Sequence, residues 1–137
     1  MFENNNNALN FAENVLSWKE KYKVDGFDLD WETSNLSDTQ KEAILTFIFH
    51  IKKTDPSFII TMEEAGYPQF AAALLIQYAH STNRLAQLIN SVDAFNVMFY
   101  SVETSQDAKY WVVNDWQKDC TNWCPLGTSI PSNKVTN

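Results

Sequence analysis

The stretch "DGFDLDWE", residues 25–32, decides the fold because it places acids at every second position of an otherwise apolar segment. Side chains alternate across a β-strand, so Asp28, Asp30 and Glu32 share one face. Neighbours on that face lie about 6 to 7 Å apart, from a rise of roughly 3.3 Å per residue. The opposite face is apolar and is expected to pack against helices: Phe27, Leu29 and Trp31. The acidic face must then point toward the axis of a barrel or out over a cleft.

Helical and strand patterns alternate on both sides of this stretch. Period-two or β-branched apolar segments predict three strands, at about 22–32, 57–62 and 92–100. Apolar residues at helical spacing predict four helices, at 8–21, after Ser37, at 69–89 and at about 107–118. The asparagine run at 4–7 is expected to be loop. Strands that alternate with helices predict an α/β fold with a parallel sheet.

Length and charge narrow the class of partner. The 137 residues fit one domain. A net charge of −7 leaves no basic surface for nucleic acid, so nucleic acid is not an expected partner. No run of about 20 apolar residues is present, so no membrane span is expected. The start of the chain, "MFENNNNALN", lacks the basic and apolar blocks of a signal peptide.

The cysteines and histidines predict neither a metal site nor a cofactor. Cys120 and Cys124 have no histidine near them in sequence, and two thiols alone do not complete a zinc site. They are either a disulfide or two separate thiols. His50 and His80 have no partner at ligand spacing, so both are expected to be structural.

The acidic face has three interpretations from the residues alone. It can be a solvated, charged sheet face. It can bind calcium or magnesium, although the spacing is not that of an EF-hand loop. It can also carry coupled acid chemistry, in which two close aspartates hold one proton and a neighbouring glutamate stays protonated as a general acid.

The stretch resembles the Asp-Gly-x-Asp-x-Asp-x-Glu signature of family 18 glycoside hydrolases, the chitinase family. The signature's four acids are all present: Asp25, Asp28, Asp30 and Glu32. A second segment, "FNVMFY" at 95–100, is similar to the family's sixth strand, in which a Met and a Tyr face the barrel interior. Here those residues are Met98 and Tyr100.

The resemblance implies a (β/α)₈ barrel, of which the predicted strands would be numbers four, five and six. The segment at 130–135, "IPSNKV", is similar to the turn that enters strand seven. A complete barrel needs about 250 residues. We therefore expect residues 1–137 to be an incomplete catalytic domain, in which 8–137 form βα units.

The resemblance also implies a mechanism in which the substrate's own N-acetyl group is the nucleophile. Glu32 would protonate the leaving oxygen and later activate water, and Asp30 would orient the acetamido group. Asp28 would share a proton with Asp30, and Tyr100 would donate a hydrogen bond to the acetamido oxygen. Met98 and Trp31 are the candidate substrate-binding residues, with core packing as the alternative for each.

The implied function is hydrolysis of chitin or related N-acetylglucosamine glycans by a secreted protein. Little turnover is expected from these 137 residues alone. A non-catalytic carbohydrate-binding relative and a metal-dependent hydrolase are the alternatives. Two departures from the family pattern bear on the site: Ser101 replaces an Asp or Asn, and "EEAG" at 63–66 replaces Ala-Pro. Glu63 and Glu64 would lie near the cleft or in a solvated loop.

Overall fold

A computed structural model describes residues 2–33, 35–64, 71–97 and 135–136 of the chain. Helices and strands alternate along it. The elements in chain order are α1 (Asn5–Tyr22), β1 (Gly26–Leu29), α2 (Asp38–Thr54), β2 (Ile59–Glu64), α3 (Ala71–Ser81), α4 (Leu85–Ser91), β3 (Ala94–Val97) and β4 (Val135–Thr136). The predicted α/β class is confirmed.

The described strands form one parallel sheet in the order β1-β2-β3-β4. Strands that are consecutive in the chain are neighbours in the sheet, as successive βα units require. The segment predicted to lead into a further strand ends at Val135. This residue is the first of β4, and it pairs with Phe95 of β3. This arrangement fits part of a (β/α)₈ barrel.

The first helix extends further at both ends than its apolar spacing predicts. The loop prediction for the asparagine run is wrong from Asn5 onward, because the Asn4 side chain accepts a hydrogen bond from Asn7 N at 3.0 Å and caps the helix. At the other end α1 includes Tyr22 and ends at Lys23, whose backbone is left-handed with φ 57°. The strand predicted to begin at about residue 22 therefore begins later, at Gly26.

The second helix begins as its sequence predicts. Ser37 is the N-cap, and its hydroxyl accepts a hydrogen bond from Gln40 N at 3.3 Å while the Gln40 side chain accepts one from Ser37 N at 3.0 Å. This reciprocal pair is a capping box, which satisfies two backbone donors that the helix itself leaves unpaired.

The single helix predicted at 69–89 is two helices, α3 and α4. The break lies at Asn83, which has a left-handed backbone with φ 57°. Asparagine adopts this conformation at lower cost than most residues, which is why it suits the end of a helix. The Thr82 hydroxyl also donates to Tyr78 O at 2.8 Å and covers a carbonyl at that end. The helix predicted at about 107–118 lies outside the described residues.

An aromatic cluster fills the space between the sheet and the first two helices. Its centre is Phe47, which is fully buried and lies 5.2 to 5.8 Å, between ring centroids, from Phe2, Phe11 and Phe27. The apolar side of β1 is therefore anchored on α1 and α2. Within the described part of the chain, every helix is too short or too polar to cross a bilayer.

Ion pairs at the edge of the helical layer connect elements that are distant in sequence. Arg84 donates two hydrogen bonds to Glu42, at 2.8 and 2.5 Å, and these bonds lower the pKa of the Glu42 carboxyl. Lys19 contacts Asp55 at 2.5 Å, and this hydrogen bond, with a further one from Ser57, lowers the pKa of Asp55 to about 2. The pairs hold α2 to α4, and α1 to the turn before β2.

Candidate active site on the polar face of the sheet

The sheet face opposite the helices carries a row of polar side chains. Parallel pairing aligns Asp28 of β1 with Thr61 of β2, and Glu63 of β2 with Asn96 of β3. Because side chains alternate along each strand, residues two apart share a face. We call these four residues the polar face: Asp28, Thr61, Glu63 and Asn96.

The apolar partners of these residues fix the orientation of the polar face. Leu29 and Met62 are buried, with 6% and 3% of their surfaces exposed, and Phe95 is fully buried. Each is adjacent in sequence to a member of the polar face. A register slip by one residue would bury the acids and expose these apolar residues, so the hydrophobic core selects the observed arrangement.

Asp30 and Glu32 follow β1 at its carboxyl end. Both are exposed, as is Asp28. Thr33 N donates to Trp31 O at 3.0 Å, which closes a three-residue turn centred on Glu32. The observed strand therefore ends earlier than predicted, at Leu29. Glu32, the candidate general acid, lies in a turn just past this strand end. The carboxyl end of a parallel strand is where functional residues of βα folds collect.

Trp31 is partly buried and packs against the hydrophobic core. Its ring stacks on Phe2 with centroids 5.0 Å apart and an interplanar angle of 28°. This contact agrees with the packing role that was the alternative for this residue. Its assignment as a substrate-binding residue stays a prediction.

Gly26 lets β1 and β2 approach each other closely at the start of the acidic stretch. An added Cβ would lie 2.3 Å from Ile59 O and 2.6 Å from Ile59 Cβ. Contacts this short require a backbone shift. The glycine of the sequence signature thus has a physical role in holding β1 in register with β2.

Two hydrogen bonds connect the three strands across the polar face. The Thr61 hydroxyl donates to Asp28 Oδ1, and the Asn96 side-chain amide donates to Glu63 Oε1 at 2.9 Å. Sequence reasoning did not select Thr61 or Asn96. Alternation along the strands could have identified them, because Thr61 lies two residues before Glu63 and Asn96 lies two residues before Met98.

The surroundings of the Glu63 carboxyl on the polar face raise its pKa above the ordinary value for glutamate. Burial raises its pKa, the hydrogen bond from Asn96 opposes the rise, and the charges of Asp28 and Asp30 reinforce it.

Several predicted site residues cannot be placed. Met98, Tyr100 and Ser101 lie outside the described residues, as do both cysteines. Among the residues that the structure describes, no three His, Cys, Asp or Glu side chains are grouped so that they could hold a metal ion. A separate open pocket of about 540 Å³ lies at the N-terminal ends of α1 and α2, where Asn5, Thr39 and Glu42 are among its lining residues.

Barrel enzymes carry their functional residues at the carboxyl ends of parallel strands. Asp30 and Glu32 lie at such a position after β1. A family model for glycosyl hydrolases family 18 matches residues 1–126. The chain belongs to this glycosyl hydrolase family. The (β/α)₈ barrel is the fold that this membership implies. No curated protein and no solved structure matches the chain.

Proposed function

We propose that the protein hydrolyses β-1,4 linkages in chitin or related N-acetylglucosamine glycans by a retaining, substrate-assisted mechanism. One observation carries the proposal: Asp28 is exposed on the sheet face away from the helical core, and Asp30 and Glu32 follow it at the carboxyl end of β1. Family membership supports glycoside hydrolysis as the reaction class. In this proposal β1, β2 and β3 are barrel strands four, five and six.

Glu32 is the proton donor of the proposed reaction. Its carboxyl group gives a proton to the glycosidic oxygen as the bond to the anomeric carbon breaks. The acetamido carbonyl oxygen of the same sugar forms the new bond to that carbon and produces a cyclic oxazolinium ion. A water molecule, deprotonated by the Glu32 carboxylate, then opens the ring with overall retention of configuration.

The aspartates orient the acetamido group and stabilise its positive charge. Asp30 accepts the acetamido N–H, and its carboxylate lies where charge develops. Asp28 shares a proton with Asp30 in this proposal. The Thr61 hydroxyl bond restricts the rotation of the Asp28 side chain. Tyr100 and Met98 complete the proposed substrate contacts.

The proposal predicts that hydrolysis depends on the substrate's acetamido group. The little turnover expected of residues 1–137 alone should be detectable on fluorogenic N-acetyl chitotriose and absent on the cellotriose analogue, which has a hydroxyl in place of the acetamido group. Substrate-assisted attack has no nucleophile in the second case. The measurement is the initial rate of fluorophore release at equal substrate concentration, with and without a chelator.

Three results would contradict this proposal. Equal rates on both substrates would exclude acetamido participation, and loss of activity in chelator would favour a metal-dependent hydrolase. Binding of chitotriose without any turnover would instead favour the carbohydrate-binding alternative.

A further inference from the structure

The loop between β1 and α2 carries a tripeptide that the proposed hydrolysis does not use. Asn35, Leu36 and Ser37 form an Asn-x-Ser sequence whose middle residue is not proline, and no other Asn-x-Ser or Asn-x-Thr tripeptide of this kind occurs in the chain. Such a tripeptide is the acceptor sequence for N-linked glycans in secreted proteins. Because it also arises by chance, the surroundings of Asn35 decide whether this residue can carry a glycan.

The Asn35 side chain is accessible and holds no other group of the protein. The residue is exposed, and its backbone N–H donates to the Thr33 hydroxyl at 3.3 Å. Within the residues that the structure describes, the side-chain amide of Asn35 makes no hydrogen bond. A glycan attached to this amide nitrogen therefore removes no interaction from the described fold.

The two residues after Asn35 fix the loop on the protein surface. Leu36 is buried, with 6% of its surface exposed, and belongs to the hydrophobic core. Ser37 is exposed and begins α2 through its capping box with Gln40. The chain is thus anchored on one side of Asn35, while Asn35 itself lies in solvent. A surface loop of this kind is where acceptor asparagines are expected.

Asn35 lies near the acidic stretch. It follows Glu32 by three residues. Three residues of extended chain span at most about 11 Å, so Asn35 lies at the same end of the sheet as Glu32. In βα folds the loops at this end surround the functional site. A glycan on Asn35 would therefore lie at the rim of the candidate active site.

We propose that Asn35 is an N-glycosylation site and that its glycan lies beside the proposed hydrolytic site. The modification requires passage through the secretory pathway, which is the location that the family resemblance implies. It does not require that the protein hydrolyses any glycan.

The modification is a group transfer from a lipid-linked oligosaccharide. The Asn35 side-chain nitrogen forms a bond to the anomeric carbon of an N-acetylglucosamine residue carried on a lipid diphosphate. The bond from that carbon to the diphosphate oxygen breaks, the lipid diphosphate leaves, and the amide nitrogen gives up one proton. The oligosaccharyltransferase of the secretory pathway acts while the chain is being synthesised, before Ser37 enters its capping box.

The direct test is translation of the 137-residue chain, behind a cleavable signal peptide, in a eukaryotic cell extract that contains microsomes. The product should migrate more slowly on a denaturing gel than the product made without microsomes, and peptide N-glycosidase should remove this shift. Asn35→Gln should abolish the shift. The matched control is Asn10→Gln, an exposed asparagine outside any acceptor sequence, which should leave the shift unchanged.

Two variants of Ser37 separate loss of the acceptor from loss of the fold. Ser37→Thr keeps the hydroxyl group of the acceptor sequence and should keep the shift. Ser37→Asp should lose the shift but retain the circular dichroism spectrum, because aspartate caps a helix about as well as serine.

No shift in the unmodified chain, or a shift that persists in Asn35→Gln, would overturn the proposal. A shift that persists in Ser37→Asp would also overturn it, because the acceptor sequence would then be irrelevant. These measurements use no chitin substrate, so failure of the glycosylation proposal can be distinguished from failure of the proposed hydrolysis.

Discussion

Replacing Glu32 by Gln is expected to lower the rate of chito-oligosaccharide hydrolysis by about 10²- to 10⁴-fold, the range that a positioned general acid contributes. Glutamine is close to glutamate in shape and can occupy the same turn after β1. It cannot donate a carboxylic proton to the leaving oxygen or take one from water. The loss should therefore appear in kcat, with little change in KM.

The measurement is the steady-state rate of fluorophore release over a range of substrate concentrations. Glu20→Gln is the matched control, since Glu20 is exposed on α1 and pairs only with the exposed Lys23 in the described ion pairs. The control should retain the unmodified rate. A loss of less than about 10-fold in Glu32→Gln would show that another group supplies the proton.

Phe47→Ala is expected to produce the largest loss of stability, about 3 to 5 kcal/mol of unfolding free energy. The Phe47 ring is fully buried and contacts three other aromatic rings. Removing it leaves a cavity that the surrounding rings fill only in part. Domains are commonly stable by about 5 to 15 kcal/mol, so this loss is a large fraction of the total.

Phe49→Ala on the same helix provides the control. Phe49 is only partly buried against the core, so the same chemical change should cost less. Urea unfolding followed by tryptophan fluorescence gives both free energies. Equal losses in the two variants would contradict the assignment of Phe47 as the centre of the cluster. Because Phe27 packs on Phe47, loss of the ring should also loosen the strand that orients Asp28.

Alternation and amphipathic spacing predicted the order of elements. Only Gly26–Leu29 of the acidic stretch formed β1, and the Ser37 capping box became the start of α2. The predicted helix boundaries are wrong where a single polar side chain or one backbone angle determines where a helix begins or ends. Asn4 capped α1 early, and Asn83 divided one predicted helix into two. Such features depend on local hydrogen bonds that apolar spacing does not reveal.

The orientation of Asp28 followed from the sequence, but its neighbours did not. Alternation within one strand assigns a face, while contacts between strands depend on a register that only the packed sheet fixes. Thr61 and Asn96 therefore joined the site only when β1, β2 and β3 were aligned. The sequence left two environments open for Glu63, the cleft or a solvated loop. In the structure Glu63 lies on β2, on the polar face.

The most direct test of the account asks where an amino-sugar chain binds. Amide ¹⁵N shifts of the Glu32→Gln chain, which should bind without cleaving, can be followed while N-acetyl chitotetraose is added. The account predicts shifts concentrated at Asp28, Asp30 and Thr33 and at Glu63 and Asn96 across the sheet. Shifts confined to the helical side, such as the pocket beside Asn5, would contradict it.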